Sequence, residues 1–102
     1  MVCAEQTSVD ADSNPQHLGD IRAQMTLALD NLEAVLSAAD ISLANVTRLS
    51  IFATDVDEAM NNFDLLGARF GPISAAPPMT VLGVARLAIP PIMFEIEATA
   101  AA

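Results

Sequence analysis

Between Asp20 and Ala39 the apolar residues Ile21, Met25, Ala28, Leu29, Leu32, Val35, Leu36 and Ala39 recur at intervals of three and four. That spacing lines them up along one stripe of an α-helix and leaves the other side polar. Asp20 is placed to cap its first turn. A helix with one apolar stripe must bury it against something, and the flanking segments read as the strands that receive it.

Val46 to Thr54 alternates, with Thr47, Leu49, Ile51 and Ala53 on one face and Val46, Arg48, Ser50, Phe52 and Thr54 on the other. This is the period of a strand. Val2 to Val9 reads as an earlier strand, closed by the turn-forming cluster Asp10 to Pro15. Asp55 followed by Glu58 has capping-box spacing, and Val56, Met60, Phe63, Leu66 and Phe70 then predict a second helix ending at Gly71-Pro72. After a loop from Ile73 to Pro78, strands are expected over Met79 to Leu87 and Ile92 to Ala100, parted by a turn at Pro90-Pro91. In the last one, Ile92, Phe94, Ile96 and Ala98 share a face opposite Met93, Glu95, Glu97 and Thr99.

The order strand, helix, strand, helix, strand, strand predicts an α+β fold: one mixed sheet with two helices on one face. The other face would carry Arg48, Arg86, Glu95 and Glu97 beside Phe52, Leu82 and Val84. Only here does composition decide something. Hydrophobic residues make up 53% of the 102 residues and charged residues 17%, more apolar surface than one small domain can hide within itself. The second sheet face is therefore expected to be buried against other copies of the chain.

Charge removes several function classes. Thirteen acidic residues against four arginines and no lysine give a net charge of -9, which repels phosphate backbones and anionic membranes. No apolar run approaches the ~18 residues of a membrane span. Met1 to Thr7 has no secretory-signal pattern, so a cytoplasmic location is expected.

The reactive residue types are sparse. Asp10-x-Asp12-x-Asn14 opens like a calcium loop, but Pro15 stands where the turn glycine is needed and Ile21 where the bidentate glutamate is needed; a polar turn is expected instead. His17, the single histidine, reads as a solvated loop residue, and Cys3, the single cysteine, as a small buried strand residue. One of each cannot build a usual zinc site, and no metal or cofactor is expected. The glycines stand singly, without a phosphate-binding loop. Glu95 and Glu97, ~7 Å apart on one strand face, could divide acid and base roles, although half-exposed strands produce that spacing routinely.

The ordered string Gly19-Asp-Ile-x-x-Gln24, Leu29-Asp-Asn-Leu-Glu-Ala-Val-Leu36, Phe52-x-Thr-Asp55, Pro78-x-Thr80, Val84-Ala-Arg-Leu87 and Phe94-Glu-Ile-Glu97 resembles the RidA/YjgF family of reactive-intermediate (enamine/imine) deaminases. The resemblance runs over nearly the whole chain. It implies a chorismate-mutase-like fold and a homotrimer with ligand clefts between subunits. In active members an arginine grips the carboxylate of a 2-imino acid, a backbone group two residues later assists, and a last-strand glutamate positions water for hydrolysis to a 2-oxo acid and ammonia.

Carried over residue by residue, Glu95 matches the glutamate and Val81 the backbone position. The arginine position holds Met79, which can offer neither charge nor hydrogen bond. The helix asparagine of many members aligns with Phe63, one residue from Asn62. The family's first N-terminal strand and its cleft-lining tyrosine have no counterpart in residues 1–102, which are expected to form one domain without that strand. The resemblance thus implies a small-molecule-binding trimer with at most weak deaminase activity. Two alternatives stand: an active 2-imino acid deaminase with a substitute anchor, and a non-catalytic, chaperone-like binding module.

Overall fold

The computed structural model describes residues 2–72 and 76–102. Its elements are β1 (Val2–Gln6), α1 (Ile21–Ala38), a 3-10 turn (Leu43–Asn45), β2 (Val46–Ala53), α2 (Val56–Met60), α3 (Asp64–Phe70), β3 (Met79–Gly83) and β4 (Phe94–Ala100). The four strands form one sheet in the order β1-β4-β2-β3. β4 runs antiparallel to both β1 and β2, whereas β2 and β3 are parallel. The helices pack on one face, so the expected α+β mixed sheet is what forms.

The apolar stripe of α1 supplies Met25, Ala28, Leu29 and Leu32 to the core, all fully buried against Leu49, Ile51, Phe94 and Ile96 of the sheet. Asp20 caps the helix by accepting a hydrogen bond from the Ala23 N–H at 3.0 Å. Two bonds pin the loop before it: the Asn31 amide donates to the carbonyls of Thr7 and Val9, each at 3.0 Å. The Asp10 carboxylate accepts from the N–H groups of Asp12 and Asn14, which makes that segment the expected polar turn.

The structure corrects the sequence reading at several places. β1 stops at Gln6, where its pairing with β4 runs out, and Cys3 is exposed because Ala4 is the inward residue. In β2 a bulge sets the two steps from Val46 to Arg48 against the single step from Ala100 to Thr99. The extra residue reverses the alternation, so Val46 joins Leu49, Ile51 and Ala53 in the core and Thr47 turns to solvent.

The second helix is two helices. Around Asn61 and Asn62 the N–H groups of Asn62 and Phe63 bond three residues back, to Ala59 and Met60, and the Asn62 side chain donates to the Glu58 carbonyl. Asparagine competes for backbone partners in this way, and the tightened turn re-aims the chain. Of the capping box, the bond from the Glu58 N–H to Asp55 is formed, at 3.1 Å.

β3 ends at Gly83 rather than Leu87 because its parallel partner β2 ends there, and the N–H of Val84 makes the last bond to Ala53. Val84 and Arg86 therefore lie beyond the strand, not on its second face. β4 begins at Phe94 rather than Ile92: prolines 90 and 91 have no N–H, and that of Met93 is taken by the Gln24 side chain. Of the predicted loop from Ile73 to Pro78, residues 73–75 lie outside the described residues. No helix among the described residues is long and apolar enough to cross a membrane.

Candidate functional site

β3 is an edge strand, and its pairing with β2 decides where its side chains go. Met79 stands beside Leu49 and Val81 beside Ile51, so both face the helices. Val81 is half-buried against the core, and Met79, 37% exposed, looks into a groove of about 390 Å³ between β3 and α3. Among the described residues, Phe63, Leu66, Gly67, Phe70, Gly71 and Ala76 also line it. Gly71 has no substitute there, since a Cβ would lie 2.5 Å from the Gly67 carbonyl oxygen.

Glu95 lies on the opposite side of the sheet. It pairs with Phe52 of β2, which pairs in turn with Leu82 of β3, and this row faces away from the helices. Glu97 follows two residues on and stands directly opposite Glu5 of β1. Burial pushes the Glu95 carboxyl above the usual glutamate range, and the charges of Glu5 and then Glu97 add to the effect. Its side chain borders a small cavity of about 100 Å³ shared with Thr7, Leu87, Ala88, Ile89 and Ile92. A carboxyl biased toward holding its proton, set beside a small apolar hollow, is suited to exchanging a proton with a bound molecule or water.

The five site residues expected from the sequence therefore do not converge within one chain. Met79, Phe63 and, behind them, Val81 gather on the helix side, whereas Glu95 is on the far face. Asn62 is engaged elsewhere: its side-chain oxygen accepts from Arg22 at 3.1 Å, and Arg22 also forks onto Asp64 at 2.9 and 2.8 Å. Arg69 reaches from α3 to Asp30 and Glu33 on α1. On the open face the Arg48 guanidinium donates to the Thr80 hydroxyl at 2.7 Å. Among the described residues, neither Arg48 nor Arg86 forms an ion pair.

One contributor has no role in the sequence reading. Gln24 is fully buried; its amide donates to the carbonyls of His17 at 3.3 Å and Pro91 at 3.1 Å, and its oxygen accepts the Met93 N–H at 2.8 Å. It ties α1 to the turn that walls the Glu95 cavity. The signal was available, because Gln24 falls three residues after Ile21 on the apolar stripe, where a polar side chain needs a buried partner.

A four-stranded mixed sheet with helices on one face, an apolar groove at its β3 edge and an acidic open face defines a small α+β domain. Comparison with known proteins gives that class a family. The family model described as endoribonuclease L-PSP matches residues 1–102, and the chain belongs to this family. A RutC family protein of Pyrococcus horikoshii is 29% identical over 97 residues, covering 95% of this chain and 75% of the relative. A solved Mycobacterium tuberculosis member of the YjgF/YER057c/UK114 family is 31% identical with a TM-score of 0.79, over 97% of this chain and 75% of that one. TdcF of E. coli, solved with bound serine, is 26% identical with a TM-score of 0.82, over 97% of this chain and 77% of that one. These likenesses place the chain in the RidA/YjgF group and match its sheet and helices to that fold.

Proposed function

We propose that this chain acts as a homotrimer binding a small molecule in clefts between subunits, with at most weak enamine/imine deaminase activity. The observation that carries the reading is the placement of Met79 and Glu95 on opposite faces of one sheet. One subunit alone cannot offer both to a ligand, so a shared site calls for a neighbour that sets its own β3 edge against the Glu95 face. The open face suits that burial: Leu82 is 48% exposed there, beside the half-buried Phe52. That E. coli TdcF was solved with bound serine supports small-molecule binding in this fold.

Activity is expected to be weak because of what Met79 lacks. Hydrolysis of a 2-imino acid adds water across C=N and releases ammonia, and in this reading Glu95 moves the protons. The substrate's carboxylate, however, would meet a thioether. A buried charge left without its partner loses about 2 to 5 kcal/mol of binding. The ligand favoured beside Glu95 is a neutral or amine-bearing small molecule. RNA is disfavoured as a substrate, since net charge -9 opposes a polyanion and two of the four arginines are held in ion pairs. An active deaminase with a substitute anchor is the second reading, favoured by Arg48, which shares the Glu95 face and makes no ion pair among the described residues.

Hydrolysis of 2-iminopropionate, followed by ammonia release, tests the proposal. The unmodified chain should stay at background, and Met79→Arg should raise the rate by about tenfold or more. Robust turnover by the unmodified chain would favour the substitute anchor instead.

A further inference from the structure

Resting on the reading above only in placing a ligand at Met79, we infer that the groove between α3 and β3 is a binding site for an uncharged aromatic molecule. Gly67 is the first reason. It sits inside α3 in ordinary helical backbone, where glycine weakens a helix relative to alanine. A Cβ at that position would meet nothing within 4 Å among the described residues. Neither conformation nor packing among the described residues requires glycine there, and its effect is to leave bare helix backbone as one wall of the groove. Glycine in an element interior is a way to let a ligand approach the backbone closely.

The second reason is size and lining. The groove holds about 390 Å³ among Phe63, Leu66, Phe70 and Met79. A dry apolar cavity of ~150 Å³ accepts benzene, so a substituted single ring fits with room to spare. Phenylalanine rings pack on an aromatic ligand edge-to-face or offset, and a methionine sulfur favours ring edges.

Charge is the third. Arg22 is committed to Asp64, and Arg69 to Asp30 and Glu33. Arg48 lies on the other face of its own sheet, bonded to Thr80, and Arg86 lies beyond the far end of β3; where a neighbour's open face meets this edge it brings Glu5, Glu95 and Glu97 along with Arg48, so that face too is net negative. No cation among the described residues lines the groove. An entering carboxylate would lose water without gaining a partner, in a chain already carrying a charge of -9.

The test is ligand-observed fluorine NMR on the full chain with two probes of matched shape, 4-fluorobenzyl alcohol and 4-fluorobenzoate. The neutral alcohol should bind about tenfold or more tightly than the anion. Gly67→Leu, which fills open space, should weaken the alcohol by about tenfold or more while keeping or raising the unfolding temperature. Gly67→Ala serves as the milder variant, with a smaller loss. No binding of the alcohol, equal or tighter binding of the benzoate, or undiminished binding by Gly67→Leu would each overturn the inference. A failure here with 2-iminopropionate hydrolysis still at background would leave the proposed function standing; strong hydrolysis alongside alcohol binding would do the reverse.

Discussion

Replacing Gln24 with leucine removes a side chain of similar length that is fully buried and joins three segments by three hydrogen bonds. The three backbone partners do not suffer equally. The His17 carbonyl keeps the Asp20 N–H at 3.1 Å, whereas the Met93 N–H and the Pro91 carbonyl lose the bonds described for them. Each buried group left unmade costs about 1 to 3 kcal/mol. The leucine recovers part of this through its own apolar burial, so the net loss expected is about 2 to 4 kcal/mol. For a domain of this size that lowers the unfolding temperature by roughly 10 to 20 °C.

Glutamate at the same position makes the test sharper. It keeps an acceptor for Met93, but its ionised form faces two carbonyl oxygens with no proton to give, and burial raises its affinity for a proton. Because the folded state would bind that proton more tightly than the unfolded one, Gln24→Glu should be more damaging than Gln24→Leu near neutral pH. Its penalty should shrink as pH falls toward about 4.3, the ordinary glutamate value. Urea unfolding followed by far-ultraviolet circular dichroism is the assay, since the chain has no tryptophan or tyrosine for fluorescence. All variants need one protein concentration, because assembly would shift the apparent stability. A loss under about 0.5 kcal/mol for the leucine variant, or a glutamate penalty independent of pH, would refute the clamp.

Glu95→Gln should stabilise the chain slightly near neutral pH, by under about 1 kcal/mol after solvent screening. A carboxyl whose folded pKa is raised works against folding once ionised, so the advantage should fade as pH falls through that pKa toward the ordinary glutamate value; urea midpoints across that range check the sign. Arg69→Met should cost about 1 kcal/mol by cutting the ion pairs from α3 to Asp30 and Glu33, and thermal unfolding at low and high salt should show the difference narrowing as salt rises.

How much of this was legible beforehand follows from which interactions are local. The stripe of α1 and its Asp20 cap depend on residues within one turn of each other; the cap forms, and the stripe is buried from Ile21 to Leu36 except at Val35, which with Ala39 turns to solvent. The inward set of β4 follows from strict alternation and is buried at Phe94, Ile96 and Ala98. Where the reading slipped, the cause came from another part of the chain. β3 is shorter than its sequence predicts because its end is set by where β2 stops, thirty residues earlier. The reversal at Val46 comes from a bulge that exists only once β4 is paired. The residue type of Cys3 predicts burial, yet the register of β1 turns it out.

The site divides in the same way. Glu95 and Met79 could be chosen by alignment to a family pattern, and Met79 shares its groove with Phe63 rather than with Glu95. That they sit on opposite faces depends on which strand β3 joins, a non-local fact that the alternation within β3 does not contain. Asn62 is expected at the cleft, but Arg22, forty positions away, holds its side-chain oxygen. Gly67 carried no signal in the sequence, because only the open space above it distinguishes it from a weak helix residue.

The division of Met79 and Glu95 between two faces is the reason this account needs more than one copy of the chain. Light scattering on a sizing column measures that directly. The account predicts a single species of about three times the 10.7 kDa chain mass, and a stable monomer at micromolar concentration would contradict it.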